Sequence, residues 1–202
     1  MSAFEFFFSF YGLLLGLSVA VIATGIATAV QHRKKIRIGY LTPILAVFVG
    51  LDIATFWDSA WTNFRDLPFS YGLLIVGLGI ALVYFIAASL VFPHQIEDGM
   101  SLDDHFWANK KVVLLLTLAA NVLLGFAMAG ASAGKPHAGV LFFAYAVSLA
   151  QYMALTVPAA FARKPRLFVI LIGLQIAIFL AVAVYSVVQP NAMLASVPVA
   201  GE

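Results

Sequence analysis

Apolar residues fill this chain in six long blocks, and charged residues gather in the short gaps between them. The blocks run 4–30, 40–64, 70–92, 106–129, 138–162 and 167–188. A helix needs roughly 20 mainly apolar residues to cross a bilayer, where every backbone group must be hydrogen-bonded within its own segment. All six blocks meet that length. The first ends at His32-Arg33-Lys34-Lys35, and the second lies between Arg37 and Arg65-Asp66-Leu67-Pro68. The third stops at Pro93, which cannot continue a helix, and the sixth ends before Gln189-Pro190. The pattern predicts an all-α integral membrane protein: one bundle of six transmembrane helices over residues 1–202, with no room for a soluble domain. Block one is longer than the 7–15-residue apolar core of a secretory signal, and its early charge is Glu5. It is read as a retained span.

Composition sharpens the class. The chain is 63% hydrophobic and only 10% charged, against about 25% charged in an ordinary soluble domain. That excludes a soluble globular protein, a disordered chain and a nucleic-acid binder, and leaves the lipid bilayer as the expected partner. The absence of cysteine excludes a disulfide scaffold, thiol catalysis, cysteine lipidation and an iron–sulfur cluster. Charge distribution sets an expected orientation. Nine basic residues fall on one side: Arg33, Lys34, Lys35, Arg37, Lys110, Lys111, Arg163, Lys164 and Arg166. Only Arg65 and Lys135 fall on the other. The nine are expected in the cytoplasm, with both termini on the non-cytoplasmic side. The segments Tyr84 to Pro93 and Phe56 to Trp61 resemble short stretches of small bacterial inner-membrane proteins. The resemblance implies an inner (plasma) membrane location and transfers no chemistry.

Membrane helices associate through close backbone approach and polar contacts, since apolar side chains gain little by leaving lipid. Gly12, Gly16, Ala20, Thr24 and Thr28 make one small face along span one. Thr117, Asn121, Gly125 and Ala129 do the same in span four, and Gly173, Ala177 and Ala181 in span six. Such faces pack inside one bundle or form a homodimer seam, here along Gly12, Gly16 and Ala20. Spans one to three and four to six share no inverted repeat of the kind many transporters carry.

The informative residues are the polar ones at membrane depth. Asp52, Asn121 and Gln151 lie near the middle of spans two, four and five, with Tyr84 and Gln175 slightly toward the basic side. An ionised Asp at a helix centre costs roughly 2.5–3.5 kcal/mol on insertion scales. Such a group normally faces the bundle interior or water and has a partner. Asp52 is thus the first candidate for a proton acceptor or ion ligand. The plainer alternative is a protonated carboxyl bonded to Asn121, Gln151 or Tyr84, holding the bundle in register. Asp52, Thr55, Ser59 and Thr62 make a polar stripe on span two. Asp58 lies nearer the outer surface, beside the belt residues Trp57 and Trp61. It is either linked to Arg65 or the entry of a polar vestibule leading to Asp52.

Between spans three and four, two histidines and four carboxylates fall close together. His94, His105 and Asp104 are a possible metal set, although the spacing matches no HExxH or EF-hand pattern. The alternative is capping of the fourth helix by Ser101 or Asp103, with acids at its N-terminus. All lysines and histidines lie at span edges or in loops, which disfavours a buried retinal Schiff base or a bis-histidine haem. No cofactor is required by the sequence. The leading expectation is a proton- or cation-linked channel or transporter, with Asp52, Asp58, Asn121, Gln151, Gln175 and Tyr84 along its path. The alternative is a binding or accessory protein that holds a lipid, quinone or pigment or packs in a larger complex. A membrane-embedded metalloenzyme ranks last.

Overall fold

The computed structural model describes residues 3–64, 70–95, 97–132 and 138–188. Six helices account for nearly all of them: α1 (Ala3–Gln31), α2 (Leu41–Phe64), α3 (Tyr71–Ser89), α4 (Leu102–Ser132), α5 (Ala138–Phe161) and α6 (Pro165–Val188). Each contains a stretch long and apolar enough to cross a membrane. The six expected spans are therefore six helices, and no strand occurs among the described residues.

The helices form a ring in the order α1, α3, α4, α5, α6, α2, with α2 also packed across it against α4 and α3. Half of the α2 span is buried, against a third or less of every other span. The physical cause is chemical: α2 carries Asp52, and a helix with a carboxyl at mid-membrane depth gains most by turning inward. Its core face of Leu45, Phe48, Val49, Asp52, Ile53, Phe56 and Ala60 keeps the three- and four-residue spacing of one helix side.

Two helix ends differ from the apolar pattern. α3 stops at Ser89 rather than running to Pro93. The amides of Leu90 and Val91 bond back to Ile86, Ala87 and Ala88 in a tightened last turn, while the Leu90 carbonyl accepts from His105 Nε2 at 3.0 Å. Pro93 has no N–H to continue the ladder, and the residue before a proline avoids helical geometry. α4 begins at Leu102, one turn before its apolar run, because Asp103 and Asp104 are favourable in a first turn. Ser101, a candidate cap, instead lies in a parallel bridge with Arg37. There the Arg37 amide donates to Met100 at 3.0 Å and the Leu102 amide to Arg37 at 3.2 Å, joining the α1–α2 and α3–α4 connections. Gly99 makes the turn into this bridge with φ of 85°, a conformation side chains rarely adopt. Thr42 at the start of α2 closes the same corner by donating to the Leu102 carbonyl at 2.9 Å.

α1 buries Tyr11, Leu15, Ser18, Ile22 and Ala29. Its small face is turned about one position away from that stripe. Gly12 meets the Trp57 ring so closely that a Cβ would overlap the indole. Gly16, Ala20 and Thr24 are exposed. The α4 face behaves differently: Thr117 is buried, and Gly125 lets the Tyr145 ring of α5 lie against the backbone. Gly12→Ala is expected to cost about 1–3 kcal/mol, as overpacking does. Gly16→Ala, with nothing within 4 Å of the new methyl, is expected to be neutral or slightly stabilising. Thermal unfolding of both variants in detergent checks the contrast.

Candidate functional site at Asp52

The Asp52 carboxyl is 2% exposed, at the middle of the bundle, and groups from three other helices converge on it. Tyr84 of α3 donates its hydroxyl to Oδ2 at 3.1 Å. Asn121 of α4 presents Nδ2 at 3.2 Å from Oδ1 and 3.3 Å from Oδ2. Tyr152 of α5 reaches Oδ2 at 3.3 Å. All three donors are neutral. The Asn121 amide also lies 3.2 Å from the Tyr84 hydroxyl and donates to the Thr117 carbonyl one turn below it at 3.0 Å. Tyr145 holds Asn121 in place by donating to its backbone carbonyl.

The hydroxyl protons set what this cluster can do. Thr117 donates its only hydroxyl proton to Leu114 at 3.0 Å, so its oxygen is free to accept. Tyr152 therefore has one proton and two acceptors, Asp52 Oδ2 and Thr117 Oγ1, the latter 3.1 Å away. With Asp52 ionised, the Tyr152 proton goes to the carboxylate, since a charged acceptor makes the stronger bond. With Asp52 protonated, Tyr152 turns its proton to Thr117 and accepts from the carboxyl. Both protonation states are thus hydrogen-bonded without a heavy atom moving. An unsatisfied buried polar group would cost about 1–3 kcal/mol in either one.

Aromatic rings close the site along α2. Phe56, one turn after Asp52, lies 5.1 Å from the Tyr84 ring and 5.6 Å from Tyr11. Phe48, one turn before it, lies 6.2 Å from each of Tyr152 and Phe179. Both phenylalanines are fully buried. Asp52 sits between the two layers.

Of the residues singled out in the sequence, Asp52, Tyr84 and Asn121 meet in this cluster. Gln151 and Gln175 do not join it. They bond to each other at 2.8 Å across α5 and α6, with Gln175 buried. Asp58 and Thr55 are exposed on α2, and Thr55 donates to Leu51 in its own helix. The polar stripe therefore leaves the interior above Asp52. Arg65, its proposed partner, lies outside the described residues. Tyr152, Thr117, Phe48 and Phe56 were not singled out as site residues. A weak signal existed for the first: Tyr145 and Tyr152 are two turns apart on one face of α5.

His94, His105 and Asp104 do not converge. His94 and Asp104 are exposed. The contacts of His105 fit the Nε2–H tautomer, which donates to Leu90 and accepts from the Asn109 amide at Nδ1, 3.3 Å away. Among the described residues no group of three His, Asp or Glu side chains could hold a metal ion.

Six membrane-length apolar helices around a buried polar centre define an integral membrane protein. Comparison with protein-family models, curated proteins and solved structures finds no match to this chain.

Proposed function

We propose that the protein is a small proton-linked transporter and that Asp52 is its proton site. The observation that carries this reading is the two-way hydrogen bonding of the cluster. A structural carboxyl needs partners for one protonation state, whereas Tyr152 between Asp52 and Thr117 serves two. Phe56 and Phe48 act as the gates on either side. Asn121 and Tyr84 orient the carboxyl, Asp58 serves as an outer entry group, and the Gln151–Gln175 pair fixes α5 against α6. The distribution of basic residues supports an orientation with the basic end in the cytoplasm and both termini outside.

The test is proton flux into proteoliposomes across an imposed pH gradient, read with an entrapped dye. Wild-type protein is expected to exceed protein-free vesicles, and Asp52→Asn to lose at least ten-fold of that excess. Equal flux in the variant contradicts the assignment.

A second reading rests on a separate observation, the exposure of Gly16, Ala20 and Thr24 on α1. That face suits self-association or docking in a larger complex by close backbone approach. Native mass spectrometry is expected to find a dimer that Gly16→Leu dissociates; a wild-type monomer in mild detergent contradicts it.

A further inference from the structure

The basic end of the bundle carries a second built feature, away from Asp52. The first turns of α4 and the end of α5 enclose an open cleft of about 430 Å³, lined by Trp107, Lys110, Lys111, Phe161 and Arg163 among others. Three cations line it. Lys110 is buried, donates to the carbonyls of Ala159 and Ala162 at the end of α5, and sits 4.5 Å over the Trp107 ring. Those carbonyls hold the negative end of the α5 dipole and fix the Lys110 ammonium in place. Lys111 lies 4.7 Å over the Phe161 ring, and both Lys111 and Arg163 are exposed. Among the described residues none of the three forms an ion pair with an acid; the ion pair seen there is Lys35–Asp98, at the other connection. Lys164 in the turn that follows and Arg166 at the start of α6 are also exposed. Phe161, 57% exposed, continues the cleft as an apolar ring on the outside of the bundle.

We propose that this cleft, between Trp107 and Lys111 of α4 and Phe161 and Arg163 at the end of α5, holds the headgroup of an anionic phospholipid. Lys111 and Arg163 take the phosphate oxygens, and Arg offers a planar pair of donors suited to them. Lys110, already held by backbone carbonyls, supplies a fixed positive field behind the phosphate. An acyl chain lies along Phe161. Trp107 sits at headgroup depth, where amphipathic rings are enriched. A basic pocket between helices at this level is the form that anionic-headgroup recognition takes in membrane proteins. The choice of a lipid over a soluble anion follows from the exposed ring beside the cations: Phe161 carries Lys111 on its ring yet is still 57% exposed, an apolar surface that an acyl chain covers and a free phosphate does not. The proposal is independent of the Asp52 reading.

The experiment is native mass spectrometry of the full chain released from detergent micelles containing phosphatidylglycerol or phosphatidylcholine. Wild type is expected to retain one phosphatidylglycerol and no phosphatidylcholine. The double variant Lys111→Gln, Arg163→Gln is expected to lose at least ten-fold of that retention. Both side chains are exposed, so its unfolding temperature is expected to match wild type, which separates lost binding from lost fold. Arg33→Gln, Lys34→Gln, which removes two charges from the other connection, is expected to retain the lipid as wild type does. Equal retention by wild type and the Lys111/Arg163 variant overturns the proposal. So does equal loss in the Arg33/Lys34 variant, which would make the effect one of general charge. Displacement of the lipid by millimolar inorganic phosphate also overturns it, since the cleft would then be a soluble-anion site.

Discussion

Asp52→Leu is expected to destabilise this protein by about 1–3 kcal/mol, and Asp52→Asn by less, at the same buried position. Leucine has a suitable volume but accepts no hydrogen bond. It strands the Tyr84 hydroxyl proton, while the Asn121 amide retains the Tyr84 oxygen and the Thr117 carbonyl as acceptors and Tyr152 retains Thr117. A stranded donor of this kind costs about 1–3 kcal/mol. Asparagine keeps the shape. Its carbonyl, set at the Oδ2 position, accepts from Tyr84 and Asn121, so the surrounding donors keep an acceptor. The expected loss for Asp52→Asn is therefore smaller than for Asp52→Leu, since Tyr84 keeps an acceptor. Unfolding of the three proteins in detergent, followed by circular dichroism, checks the order. A leucine variant as stable as wild type contradicts the hydrogen-bonded cluster.

The second large effect concerns access. Removing the Phe56 ring opens the Asp52 side of the Tyr84 and Tyr11 layer, and removing Phe48 opens the layer formed with Tyr152 and Phe179. Phe→Ala in a packed core costs about 3–5 kcal/mol and leaves a cavity, so each variant is first checked for its helical spectrum. A water-soluble carbodiimide, added to one side of sealed vesicles, reports which face now reaches the carboxyl. Modification of Asp52 is expected to rise at least ten-fold in each alanine variant. Phe56→Ala is expected to admit the reagent from the end away from the Arg37–Ser101 bridge, and Phe48→Ala from the bridged end. Unchanged modification in both variants contradicts the sealing role of the rings.

The architecture was legible because hydrocarbon imposes a length and a composition on every span, and all six blocks satisfied both. Asp52 was legible for the related reason that a carboxyl at mid-depth must turn inward. That constraint also placed α2 at the centre. Its partners were only half legible. Gln151 and Tyr152 are adjacent on α5, some 100° apart around the helix, so only one of them can face Asp52. Polarity alone favours the glutamine, yet the tyrosine has the reach, and Gln151 pairs with Gln175 instead. Phe48 and Phe56 were hidden among 18 phenylalanines, and only the known position of Asp52 makes the i−4 and i+4 rings significant. The small face of α1 shows the opposite failure. A strict four-residue repeat drifts around a 3.6-residue helix. One end, Gly12, meets Trp57, while Gly16, Ala20 and Thr24 lie on the outside.

The most direct test of the central claim is an infrared titration of the reconstituted protein, taken as a difference between wild type and Asp52→Asn. A carboxylic C=O stretch that appears and disappears with pH, and is missing from Asp52→Asn, is the predicted result. It means that a sealed carboxyl exchanges its proton with the outside. A spectrum in which Asp52 shows no titrating band over the pH range where the protein stays folded would contradict it. Asp52 would then be a fixed strut of the bundle.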